Sequence, residues 1–253
     1  MILGSGLSHL EGLVRVERSA GYRDIRGMRK TGVEGHPGRL SLCRIGGNSL
    51  LLFAGRSHLY EGASSAEAGD CVACAAGLGC RRVLITHAAG SLRCDVVPGQ
   101  WMLPNGVIAF PWNVQSCGAG SPSSAPSRCV RPEPSPAARI SPEFSEEIRR
   151  AGRAAGVPLH GGVLIYNPGP SYETPAEARA AALAGADAAT MSVLPELVAA
   201  GRAGIEAACL SWITNHTANI GAGATDHRAV LESGPDGASM LLDILEALPE
   251  YRI

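Results

Sequence analysis

The chain has 253 residues, 45% of them hydrophobic and 18% charged, with a formal net charge of −1. No apolar run approaches the roughly 18 residues that a bilayer span requires, and no block of like charge offers a footprint for DNA or RNA. The opening MILGSGLSHL lacks the basic stretch and apolar core of an export signal, so a globular cytoplasmic protein with small-molecule partners is expected.

In chain order, six short apolar runs predict strands, each closing on a glycine-rich or polar turn. Ile2-Leu3 runs into GSGL, residues 49–54 (SLLLFA) into GRSHLYEG, and 83–86 (VLIT) into HAAGS. Residues 163–166 (VLIY) lead to NPGPSYET, 187–191 to SVLPE, and 206–214 (EAACLSWIT) to NHT. Continuous apolar runs of this length suit strands buried on both faces. Helices are predicted over 64–77, 175–184, 195–203 and 237–248. The second carries Thr174 at the N-cap, Pro175 at N1 and Glu177 at N3, a strong start signal. The alternation implies one three-layer α/β/α domain over 1–253, with ligands gathering beyond strand ends. Residues 116–139 hold five prolines and six serines without periodicity and are expected to form a flexible loop.

Eight cysteines include the C-x-x-C of Cys71 and Cys74. Their small, apolar setting and the lack of a second ligand pair favour buried thiols over a zinc site.

Taken singly, the polar motifs leave alternatives open. Gly4-Ser5-Gly6 fits a phosphate turn and an ordinary tight turn equally. Residues 55–62 concentrate Arg56, His58 and Tyr60, a donor set suited to phosphate and hydroxyl groups, although a solvated loop has similar composition. Tyr172 and Glu173 offer an aromatic face and a carboxylate acceptor for a planar heterocycle, while Glu173 also suits a helix start. Ser192, Asn215 and His227 each have a structural reading as cap, turn or helix-start residue.

The combination discriminates. GSGL at 4–7, GHPG at 35–38, GRSHLYEG at 55–62, THAAGS at 86–91, GPSYETPAE at 169–177, ADAATMSVLPE at 186–196 and SWITN at 211–215 occur in order. In these blocks the sequence resembles the trimeric purine nucleoside phosphorylase family, which includes methylthioadenosine phosphorylases. The resemblance implies a nucleoside phosphorylase-like fold with a central mixed sheet, a homotrimer, and phosphorolysis of purine nucleosides in purine salvage. No metal or organic cofactor is implied, since inorganic phosphate is a co-substrate. On the family pattern Ser5, Arg56, His58, the backbone of Ala88 and Ser192 hold phosphate. Tyr60 and the backbone of Met191 hold ribose, and His227 meets the 5′-hydroxyl. Tyr172, Glu173 and Asn215 surround the base, with Thr190 beside it. Asn215, Glu173 and His58 are the catalytic candidates, and asparagine at 215 points to 6-oxopurines such as inosine or guanosine.

The sequence also departs from that pattern. The family carries a helix ahead of GSGL, so an upstream start is expected. His87 stands where the family has asparagine, and Thr190 replaces a glycine. The segment after Gly99 differs, and Ile140 is the nearest counterpart of an aromatic that completes a neighbour's pocket. These differences keep two alternatives in view: a weakly active or non-catalytic nucleoside-binding relative, and a methylthioadenosine or methylthioinosine phosphorylase.

Overall fold

A computed structural model describes residues 1–33, 35–109, 138–217 and 227–251, with the side chains of 227–229 outside the description. All but the end of the expected 116–139 loop lies outside it as well.

The six predicted strands form as β1 (Ile2–Leu3), β4 (Asn48–Ala54), β5 (Arg82–Ser91), β7 (Leu159–Tyr166), β8 (Ala188–Thr190) and β9 (Glu206–His216). Three more join them: β2 (Arg15–Gly21), β3 (Arg39–Ile45) and β6 (Trp101–Ala109). One mixed sheet runs β2-β3-β4-β1-β5-β8-β7-β6-β9, and β9 also pairs with β5, so the last five strands close into a ring.

Within the predicted runs, successive side chains enter opposite cores. Leu3, Leu52, Leu84 and Leu210 join one cluster with helices α1 (Leu10–Leu13), α4 (Pro142–Ala154) and α8 (Gly234–Glu246). Ile2, Phe53, Ile85 and Cys209 join the other with α3 (Asp70–Gly77) and α6 (Leu194–Ala203). A strand whose alternate faces both meet helices must be apolar throughout, which is why these runs were legible. The strands without such runs have specific reasons. β2 is polar and exposed at the sheet edge. β6 contains Pro104, and the register against β7 shifts between Pro104 and Gly106, a bulge that accommodates the missing N–H.

The helix expected over 64–77 divides at Gly69 into α2 (Ser65–Ala68) and α3. A Cβ at Gly69 would lie 2.7 Å from Ala199 Cβ, so α6 presses directly on that point. Ser64 caps α2 through a reciprocal exchange with Glu67. Helix α5 (Pro175–Leu183) starts as predicted: the Thr174 hydroxyl accepts from Glu177 N at 3.3 Å, and Glu177 Oε2 accepts from Thr174 N at 2.9 Å. Helix α4, unassigned in the sequence reading, is capped by Ser141 and begins with Pro142. A last short helix, α7 (His227–Glu232), precedes α8.

Cys71 is buried on α3, its thiol 3.7 Å from Tyr22 Oη, in the core position expected of it. Ile140 packs against this chain's own second core cluster, so it is no free counterpart of an aromatic reaching a neighbour. No helix among the described residues is long and apolar enough to cross a membrane.

Candidate active site

A cavity of about 310 Å³ opens where the ends of β1, β4, β5, β8 and β9 meet the loop after β7. Eleven of the twelve expected site residues line it: Ser5, Arg56, His58, Tyr60, Ala88, Tyr172, Glu173, Thr190, Met191, Ser192 and Asn215. The side chain of the twelfth, His227, lies outside the described residues. The lining also includes Gly90, Thr214, Thr217 and Val230, to which the sequence reading assigned no role.

On one side, the turn after β1 rests directly on β5. A Cβ at Gly4 would lie 2.5 Å from His87 Cα and 3.0 Å from Arg56 Nη2, so only glycine permits the approach. Ser5 Oγ is 3.1 Å from His36 Nε2, and His36 Nδ1 is 3.1 Å from Arg56 O, so His36 ties the two turns together. His36 lies in the GHPG block, but that position alone assigned it no role.

Arg56 is 1% exposed. Its Nη1 donates to Glu196 Oε1 at 2.9 Å, its Nη2 donates to Thr86 O, and its Nε has no partner among the described residues. Arg56 is therefore not the bare cation of the sequence reading: Glu196, buried on α6, balances its charge. The pairing was hidden because 140 residues separate the partners.

His58 stacks on Tyr60 with ring centroids 4.8 Å apart. Its Nδ1 is 3.1 Å from Glu61 Oε2, and its backbone N–H donates to the same oxygen at 2.8 Å. Burial opposes ionisation of Glu61, but hydrogen bonds from His58 and Gly32 outweigh it and bring the carboxyl down to about 2. A carboxylate only accepts, so the neutral His58 ring carries its proton on Nδ1 and keeps an acceptor lone pair on Nε2. Burial, aided by Arg56, lowers the His58 value and so keeps the ring neutral.

Asn215 owes its place to a bulge. Ala89 pairs with Ile213 but Gly90 pairs with Asn215, so the extra residue Thr214 turns the strand end toward the cavity. Thr214 Oγ1 donates to Asn215 Oδ1 at 2.9 Å, and Asn215 Nδ2 donates to His216 O at 2.9 Å. A Cβ at Gly90 would come within 3.1 Å of Asn215 Nδ2. Across the cavity, Asn167 Nδ2 donates to Glu173 Oε1 at 3.4 Å.

Ser192 is followed by Val193, a fully buried β-branched residue at φ 83°. Such a residue reaches this region only where the surroundings enforce it. It turns the chain from β8 into α6 and leaves Ser192 on the cavity wall.

The description "Phosphorylase superfamily" matches residues 2–249. The chain belongs to the phosphorylase superfamily. Purine nucleoside phosphorylase 1 of Geobacillus stearothermophilus is 31% identical over 92% of this chain and 83% of its own length. Among solved structures, the Schistosoma purine nucleoside phosphorylase in complex with hypoxanthine superposes with a TM-score of 0.81 at 27% identity, covering 98% of this chain and 90% of that one. The Schistosoma mansoni enzyme in complex with adenosine gives the same values. The phosphorylase fold explains the arrangement found here, in which six separate loops converge on one cavity. Among the described residues, no group of His, Cys, Asp and Glu is placed to hold a metal ion.

The buried imidazoles of this phosphorylase predict an acid-sensitive fold. Burial, with the nearby Arg56 charge, lowers both His36 and His87 from 6.5 to about 3. Between those values the unfolded chain binds protons that the folded chain excludes, so stability is complete above pH 6.5 and falls as pH drops below it. Two such groups give a slope of up to about 3 kcal/mol per pH unit. Urea unfolding between pH 7.5 and 4.5 measures it; a midpoint that holds steady across that interval contradicts the prediction.

Proposed function

We propose that this protein cleaves purine nucleosides with inorganic phosphate, with 6-oxopurine nucleosides as preferred substrates. Phosphate attacks C1′, the bond from C1′ to the base breaks, and free purine and ribose 1-phosphate leave. The observation carrying this reading is that Arg56 and Asn215 line a single cavity, with Tyr60 and Met191 also on its wall.

In this reading Ser5, Arg56, the backbone of Ala88 and Ser192 receive the phosphate. His58 Nε2, an acceptor, takes a hydrogen bond from a phosphate hydroxyl. Tyr60 and the backbone of Met191 hold the ribose, and His227 meets the 5′-hydroxyl. Positive charge grows on the sugar in the transition state while negative charge grows on the departing base. A carboxamide donating to N7 gains strength as that charge builds, and such differential binding accelerates the reaction. The preference follows from hydrogen-bond polarity. A 6-oxopurine carries a hydrogen on N1 for the Glu173 carboxylate and an oxygen for the Asn215 amide, whereas a 6-aminopurine has no N1 hydrogen. Tyr172 lies along the base. Phosphate serves as co-substrate, and the chemistry calls for no metal or organic cofactor. The same reading makes the enzyme a cytoplasmic homotrimer, which light scattering of the purified protein tests.

Incubation with inosine, guanosine and adenosine, with and without phosphate, decides the function. Phosphate-dependent release of hypoxanthine and guanine, faster than that of adenine, is expected. Tight binding of guanosine without cleavage, or ribose release that ignores phosphate, contradicts the proposal.

A further inference from the structure

The two departures His87 and Thr190, on different strands and 103 residues apart, touch each other beneath the cavity floor. His87 is 1% exposed, with Nδ1 3.0 Å from Thr190 Oγ1 and 3.1 Å from Ala88 O, and Nε2 2.9 Å from Ser211 Oγ. Thr190 is also buried; its Oγ1 is 3.3 Å from Ser192 Oγ and 3.4 Å from both Ser192 N and Ala88 O. Thr190 lines the cavity, yet its hydroxyl is held by His87, Ala88 and Ser192. The expectation that it serves the base is corrected accordingly.

The polarity of this chain can be worked out. A carbonyl oxygen only accepts, so the proton of the neutral ring sits on Nδ1, and Nε2 accepts from the Ser211 hydroxyl. Thr190 Oγ1 then receives His87 Nδ1–H, and its own proton is available to Ser192 Oγ. Ser192, accepting from Thr190, is left with its hydroxyl proton to donate into the cavity. Burial holds the His87 ring neutral, with its value lowered to about 3, so the direction persists through the working pH range.

We infer that His87 and Thr190 are a positioning pair that orients the Ser192 hydroxyl as a donor to the bound phosphate. This rests on the phosphorolysis reading. Replacing a glycine with threonine and an asparagine with histidine then forms one coupled unit, with each new group meeting a hydrogen-bond need of the other.

Thr190→Val keeps the shape and removes the hydroxyl. The expected result is a rise of about tenfold in the phosphate KM, with a much smaller change in the nucleoside KM. Thr190→Ser is expected to return the phosphate KM to within about twofold of the parent. An unchanged phosphate KM in Thr190→Val, or equal losses for both substrates that serine fails to rescue, overturns the inference. Calorimetric titration of both proteins with inorganic phosphate separates the two ideas without turnover. Weaker phosphate binding by the valine variant, beside a parent that cleaves no nucleoside, supports the pair and sinks the phosphorolysis reading. Equal phosphate affinity beside an active parent sinks the pair alone.

Discussion

Arg56→Ala is expected to raise the phosphate concentration for half-maximal turnover by about one to two orders of magnitude, the equivalent of one or two charge-assisted hydrogen bonds. The same substitution is expected to lower stability by about 3–5 kcal/mol. The second effect follows from Glu196, which is 1% exposed and pairs with Arg56 at 2.9 Å. Truncating the arginine leaves a buried carboxylate without its counter-charge. The two losses can be separated, because adding Glu196→Ala removes the stranded charge. The double variant should regain part of the lost stability and none of the phosphate affinity. Chemical denaturation and steady-state kinetics on the two variants measure this. A phosphate KM in Arg56→Ala equal to that of the parent would remove Arg56 from anion binding.

Asn215→Ala is expected to lower kcat/KM by about a hundredfold to a thousandfold, the cost of losing one preorganised donor to developing negative charge. Most of the loss should fall on kcat, because the bond to N7 strengthens on the way to the transition state. Stability should change little, since the side chain lies at a strand end on the cavity wall, bonded to Thr214 and His216. Asn215→Asp, which exchanges the amide for a carboxyl, should shift preference toward 6-aminopurine nucleosides relative to inosine. Single-turnover rates with inosine and adenosine are the decisive measurement; a variant that loses only nucleoside affinity would make Asn215 a binding group alone.

Legibility was uneven for physical reasons. The runs at 83–86 and 206–214 could be read as strands because their side chains alternate between two helix-covered faces and are apolar on both. The start of α5 could be read because Thr174, Pro175 and Glu177 satisfy a helix end locally. β2 could not, since an exposed edge strand of charged residues matches a loop in composition. The site blocks were legible as motifs, and eleven of their residues line one cavity. Their electrostatics were not. Arg56 reads in sequence as a lone cation, and Glu196, three residues past Met191 and Ser192, reads as the acidic first turn of a helix.

By itself, the sequence determined what depends on near neighbours: buried strands, helix starts, and the loops that carry Ser5, Arg56, Glu173 and Asn215. The tertiary structure alone decided what depends on meetings across the chain. Closure of β9 onto β5 places Asn215 opposite Gly90 through a bulge. The return of α6 brings Glu196 to Arg56, and β8 brings Thr190 to His87. Local signals cannot encode these contacts, because a hydrogen bond at 3 Å is a property of two backbones packed together, and no pattern within either segment records the other.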